Sequence, residues 1–140
     1  MSTKIFVNLS VKDLEKTKAF FGSLGYSFNP QFTDDKATCM VIGEDIYAML
    51  LTEPFFKSFL RDTDIADTSK ATEVLTALSC ESKEAVDQML EKGLAAGGTE
   101  AREKQDMGFM YGRALRDLDG HIWEYFWMSQ EAVEKGEHKG

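Results

Sequence analysis

The sequence predicts an α+β protein built from two copies of one module, in which a strand is followed by a helix and three further strands. Three observations support this prediction: segments that alternate apolar and polar residues, helical stripes bounded by capping residues, and the repeated order of both. The 140 residues and the hydrophobic share of 43% fit one domain with a core. We place the first module at about 1–52, a connector at about 53–71, the second module at about 72–128 and a charged tail at 129–140.

The first module begins with an alternating strand over residues 4–11. Asp13 then has the residue type of a helix N-cap, and Gly25 suits the left-handed position that ends a helix. Three more strands are predicted, over 26–32, 38–42 and 46–52. In the connector, Pro54 favours the first turn of a short helix, whose phenylalanines indicate packing on the sheet or a dimer contact.

The second module repeats this order. A strand over 73–80 leads to a helix that is capped by Ser82 and ends at Gly97. Further strands are predicted over 99–103, 109–115 and 122–128. The repetition of strand, helix and three strands is what predicts a duplicated fold.

Composition excludes several classes of function. The formal net charge is -8 and the basic residues form no stripe, so a nucleic-acid-binding or anionic-membrane surface is not predicted. Cys39 and Cys80 are far apart, with no CxxC pair and no clustered histidines, which argues against a zinc ribbon and for free buried thiols. We find neither a signal-peptide pattern nor a run long enough to span a bilayer, and therefore expect a cytoplasmic protein.

Glu124 is the most informative residue, because it lies in the middle of a strongly apolar strand. A buried carboxylate is costly unless it meets a cation, a metal or hydrogen-bond donors. Two interpretations are open: a functional site, or a structural ion pair with Arg113 or Arg116. His121 follows the turn glycine and His138 lies in the tail, so neither is predicted to act as a base.

The chain resembles the vicinal oxygen chelate superfamily, which includes glyoxalase I, bleomycin-resistance proteins, fosfomycin-resistance enzymes and extradiol dioxygenases. Within it, the chain is similar to small bacterial proteins described as predicted lactoylglutathione lyases. The resemblance implies two βαβββ modules whose curled mixed sheets form a cup, in a homodimer. The residues that carry it are Val11-Lys12-Asp13-Leu14 at the helix entry, Leu24-Gly25-Tyr26 at the helix exit, and Asp117-Leu118-Asp119-Gly120-His121 before Glu124.

The resemblance also implies where a metal would bind, since metal-using members place ligands on the first and fourth strands of each module. Those positions fall on Phe6, near Leu75, within 47–50, and on Glu124. Only Glu124 is a ligand-type residue, and divalent metals need several N, O or S ligands. We therefore expect no cofactor, with a weak divalent metal at Glu124 as the exception.

The predicted cup would be a small-molecule pocket, mostly apolar with a few convergent polar groups. The ordinary alternatives are that Tyr111 and the methionines are core residues, and that Asn8 and Arg113 serve structure. The candidate ligand-binding residues are Asn8, Met40, Tyr47, Met49, Ser79, Tyr111, Arg113 and Phe126.

Three functions follow from these expectations. The first is a metal-free small-molecule-binding protein. The second is a glyoxalase-type lyase or isomerase acting on a thiol adduct, with Glu124 as the catalytic base if burial raises its pKa, or as the sole remaining metal ligand. The third is a non-catalytic dimeric interaction protein, supported only by the phenylalanine-rich connector.

Overall fold

The computed structural model describes residues 2–131, so His138 lies outside the described residues. The chain divides into two compact units, Met1–Asp67 and Thr68–Gly140. Each unit contains a strand, a helix and three further strands in that order, and each forms one four-stranded mixed sheet. The predicted α+β class with two βαβββ modules is therefore confirmed.

The first unit has the sheet order β1-β4-β3-β2, with β1 parallel to β4 and the other pairs antiparallel. The Asp13 side chain caps α1 by accepting a hydrogen bond from the Lys16 amide at 3.0 Å, and Gly25 follows the helix with φ +103°. Its elements are β1 Ile5–Val11, α1 Leu14–Ser23, β2 Ser27–Asn29, β3 Ala37–Gly43, β4 Ile46–Thr52 and α2 Glu53–Lys57.

Strand β2 is shorter than the predicted 26–32. It ends at Asn29 because Pro30, which has no amide hydrogen and a fixed φ, begins a 3₁₀ turn over Pro30–Phe32. The Asn29 side chain caps this turn by accepting from the Gln31 amide at 2.9 Å.

The second unit has the sheet order β5-β8-β7-β6, with β5 parallel to β8. Ser82 caps its helix by accepting from the Ala85 amide at 3.0 Å. Strand β6 extends beyond the predicted 99–103, because backbone pairing with β7 continues through polar residues that give no strand pattern. The elements are β5 Leu75–Ser79, α3 Lys83–Ala95, β6 Thr99–Asp106, β7 Met110–Arg116 and β8 Ile122–Met128.

Each sheet has one face covered by its helix and one face opposite. In the first unit α1 contacts β3 and β4; in the second unit α3 contacts β6, β7 and β8. The α3 face carries Leu115, Trp123 and Tyr125, each at most 1% exposed. Residues that pair across a sheet project from the same face. The strand registers therefore determine which side chains project toward the helix and which project away from it.

The turn between β7 and β8 is organised by the Asp117 carboxylate. It accepts hydrogen bonds from the amides of Asp119 at 2.9 Å and His121 at 3.0 Å, and from Trp123 Nε1 at 2.9 Å. Burial raises the pKa of Asp117. The acidic residue is thus a buried acceptor that fixes the turn leading into the Glu124 strand. No helix within residues 2–131 is long and apolar enough to cross a membrane.

Candidate ligand-binding site

The second sheet has a groove with a volume of about 780 Å³. Glu124 lies between Ala77 and Ala114 across the sheet, on the face opposite α3, and the small side chains on either side leave room above it. Pockets of this size hold small organic molecules. The residues that line the groove are Leu75, Arg102, Gln105, Asp106, Met107, Met110, Gly112, Glu124, Tyr125, Phe126 and Met128.

Glu124 is paired with Arg102, a residue that the sequence reasoning missed. Arg102 Nη1 donates a hydrogen bond to Glu124 Oε2 and forms an ion pair with it. Both residues pair with Ala114, from opposite sides, so they share a face. The prediction of Arg113 or Arg116 as the partner is wrong: Arg113 projects from the other face, and the cation that pairs with Glu124 is Arg102. Register shifts on both sides of Arg102 hid this alignment from simple alternation.

Arg113 and Tyr111, predicted to line the pocket, lie on the α3 face. Arg113 pairs with Tyr125 across the sheet, which is 1% exposed under the helix. Arg113 Nη1 donates to Asp87 of α3 at 3.0 Å, and its Nη2 donates to Glu100 at 2.9 Å. The Tyr111 hydroxyl also donates to Asp87, at 2.6 Å. Burial, followed by this hydrogen bond, raises the pKa of Tyr111 to about 12. The two residues fasten the helix to its sheet.

The hydrogen bonds that Asp87 accepts from Tyr111 and Arg113 predict that the effect of Asp87→Asn on stability depends on pH. The hydrogen bond from Tyr111 is the main cause that lowers the pKa of Asp87 below 3.8. Because the folded-state pKa is depressed, the stabilisation is present above pH ~4 and is lost as pH falls through the folded-state pKa. We expect the variant to be less stable than the wild type at neutral pH and the difference to shrink on acidification.

Urea unfolding at neutral and acidic pH measures this effect. Glu91→Gln on the same helix removes an exposed carboxylate that has no ion pair within residues 2–131, and should show little change. A stability difference for Asp87→Asn that stays constant with pH would contradict the assignment.

The other predicted residues divide between the two units. The prediction that Met40 lines the pocket is wrong. Met40 pairs with Ala48, so it projects from the face opposite Met49, and it is 0% exposed. Asn8, Tyr47 and Met49 share the face opposite Met40 in the first unit. The Asn8 amide donates to the Phe6 carbonyl at 3.1 Å. In the second unit, Ser79 and Phe126 pair with each other on the groove face, and only Phe126 lines the groove.

The residues present do not fit the divalent metal that the resemblance implies. Measured from the helix N-cap of each unit, Phe6 and Leu75 hold equivalent positions. Met49 and Glu124 are equivalent as well, because each lies two residues after the strand partner of Phe6 or of Leu75. Three of these four side chains cannot ligate a hard or borderline cation. Within residues 2–131, no three His, Cys, Asp or Glu side chains come together to hold a metal ion. The negative charge of Glu124 is also already paired with the guanidinium of Arg102.

Comparisons with known proteins agree with this fold. A family model described as bleomycin resistance protein-like N-terminal matches residues 3–43. A hypothetical protein of S. aureus, SA1046, is 30% identical, with a TM-score of 0.75 over 91% of this chain and 95% of that chain. No curated protein sequence matches.

More distant structures share the fold. A glyoxalase/bleomycin resistance protein/dioxygenase family enzyme from Burkholderia phytofirmans has 16% identity and a TM-score of 0.74, over 91% of this chain and 99% of that chain. The fosfomycin resistance protein FosX of Listeria monocytogenes, in complex with Mn(II) and sulfate, has 20% identity and a TM-score of 0.67, over 99% of each chain.

Proposed function

Because this chain belongs to the glyoxalase/bleomycin resistance/dioxygenase family, we propose that it binds a small organic molecule, without a metal, in the groove on its second sheet. The observation that carries the proposal is the composition of that groove. Its lining is mostly apolar, and its polar members are Gln105, Asp106 and the ion pair of Glu124 with Arg102. A mostly apolar cavity with a few polar groups is the usual makeup of a small-molecule site.

The apolar wall suits a ligand with a hydrophobic body. Met107, Met110 and Met128 line the groove together with Phe126. Methionine side chains are flexible and polarisable, so they adapt to ligands of varied shape. Met107 is 49% exposed, which leaves an apolar surface for a ligand to cover.

A fluorescence titration with N-phenyl-1-naphthylamine, a neutral apolar probe, tests the proposal. We expect saturable binding by the wild type, unchanged by chelator. Gly112→Leu should weaken it by about tenfold or more, because it fills the groove. A side chain is tolerated at Gly112, since a Cβ there would lie 3.7 Å from its nearest neighbours.

Gly22→Leu adds the same volume to α1, where a Cβ would meet no atom within 4 Å outside the surrounding helix turn, and serves as the control. Circular dichroism should show both variants folded. Absent probe binding by the wild type, or equal binding by Gly112→Leu, would reject the groove as the binding site.

The second candidate, a glyoxalase-type lyase, is favoured by one observation: Glu124 lines the groove, and its Oε1 has no hydrogen-bond partner among the described residues. A general base needs such a free acceptor. Assays with the methylglyoxal hemithioacetal, with and without Ni²⁺, Zn²⁺ or Mn²⁺, separate the two candidates. Under our proposal there is no turnover, and mass spectrometry finds no stoichiometric metal. Turnover that Glu124→Gln abolishes would establish the lyase instead. The homodimer and the cytoplasmic location stay predictions, which light scattering and fractionation can test.

A further inference from the structure

Arg102 uses only a small part of its hydrogen-bonding capacity. A guanidinium carries five N–H donors in a fixed plane. Nη1 serves Glu124, whereas Nε is buried and has no acceptor, the sole buried side-chain nitrogen or oxygen in this condition within residues 2–131. A buried donor without an acceptor costs free energy that a suitable partner recovers.

We infer that the ligand carries an oxyanion, such as a carboxylate, sulfonate or phosphonate, that binds Arg102; this inference rests on the proposed function. The Nε–Nη2 edge of a guanidinium presents two parallel donors, which match two oxygens of one anionic group. The Arg102 side chain is 36% exposed. An oxyanion can therefore reach the exposed part of the guanidinium, and a change of the Arg102 side-chain rotamer would bring the buried Nε to its second oxygen.

The carboxylates near the groove do not already supply this anion. Asp106 accepts from the Gly108 amide at 3.0 Å and lies 3.6 Å from Lys83 Nζ, so its charge is engaged at the end of β6. Glu124 contacts Arg102 through Nη1 and is not an acceptor for Nε or Nη2. Glu124 thus engages one donor of the guanidinium, and the buried Nε still lacks an acceptor.

The apolar surroundings strengthen such a contact. A charge-assisted hydrogen bond is stronger where the local dielectric constant is low. Phe126, Met110 and Met128 line the same groove and would cover the remainder of the ligand. The expected ligand is therefore an amphiphilic monoanion with a hydrophobic body of modest size.

The test uses two probes that share one apolar body. 1-Anilinonaphthalene-8-sulfonate differs from N-phenyl-1-naphthylamine by its sulfonate, so the ratio of their affinities isolates the anionic group. At about 0.15 M salt, where distant charges are screened, we expect the wild type to prefer the sulfonate by about tenfold. Arg102→Gln should remove this preference, so that the two probes bind the variant with similar affinity.

Three further variants distinguish direct binding of the sulfonate by Arg102 from an effect of net charge and from misfolding. Lys104→Gln removes a cation from the same strand, on the side of Asp87 and Arg113, and should keep the preference. Glu124→Gln removes the competing carboxylate and should strengthen sulfonate binding. In the double variant Arg102→Gln/Glu124→Gln no charge is left unpaired, so it should fold, bind the neutral probe and show no preference.

The outcomes distinguish this inference from the proposed function. Failure of both probes to bind would refute the groove as a site. Binding of both probes with equal affinity, or a sulfonate preference that survives Arg102→Gln, would overturn the oxyanion inference and leave the small-molecule site standing.

Discussion

Asp117→Ala is expected to lower the free energy of unfolding by about 3–5 kcal/mol. The substitution leaves three donors without their acceptor: two backbone amides and Trp123 Nε1. Trp123 is 0% exposed and His121 is 6% exposed, so water cannot readily replace the carboxylate. Relief from burying a charge offsets part of the loss, since burial already raises the pKa of Asp117.

Chemical denaturation of the variant measures this effect, and two further substitutions provide the comparison. Asp34→Ala removes a carboxylate that accepts from the Lys36 amide at 2.8 Å and the Ala37 amide at 3.0 Å in an exposed turn. It should cost about 1–2 kcal/mol, because water can satisfy the exposed Lys36 amide, whereas Ala37 is only 5% exposed. Asp117→Asn should fall between the two, since only one of its side-chain atoms accepts. Equal losses for Asp117→Ala and Asp34→Ala would show that burial of the network is unimportant.

Gly93→Ala is expected to destabilise the protein by about 1–3 kcal/mol, against the usual helix preference for alanine. A Cβ at Gly93 of α3 would lie 2.4 Å from Leu115 Cδ2 and 2.7 Å from Cδ1. Leu115 is 0% exposed, so its side chain has little space to move into. The close approach of helix and strand therefore requires glycine.

Gly22→Ala in α1 is the matched control, because a Cβ there meets no atom within 4 Å outside the surrounding helix turn. It should stabilise the protein by up to about 1 kcal/mol. Thermal unfolding of both variants, with the double variant Gly93→Ala/Leu115→Ala, completes the test. The double variant should lose less than the sum of its two single losses, since the smaller side chain removes the clash. A stabilising Gly93→Ala would contradict the packing described for α3.

Local sequence signals predicted the elements and the caps because these depend on neighbouring residues. Asp13 and Ser82 both cap their helices as their residue types indicate. The Glu124 strand was also bounded correctly, since apolar alternation and the preceding turn are local features. The duplicated fold could therefore be predicted from the chain alone.

The candidate site could be predicted only in part, because its composition depends on registers between distant strands. Alternation shows that Tyr111 and Arg113 share a face, but only their pairing with β8 shows that α3 covers that face. Met40 was misplaced for the same reason. Arg102 lies in a polar strand with register shifts on both sides, so its approach to Glu124 leaves no periodic signal.

The equivalence of Met49 and Glu124 bears on how a duplicated module diverges. Here one copy carries a thioether where the other carries a carboxylate, and the arginine that meets this carboxylate belongs to the second copy alone. The two units thus share one backbone topology but differ in chemistry at matching positions, so the binding properties of one unit do not carry over to the other.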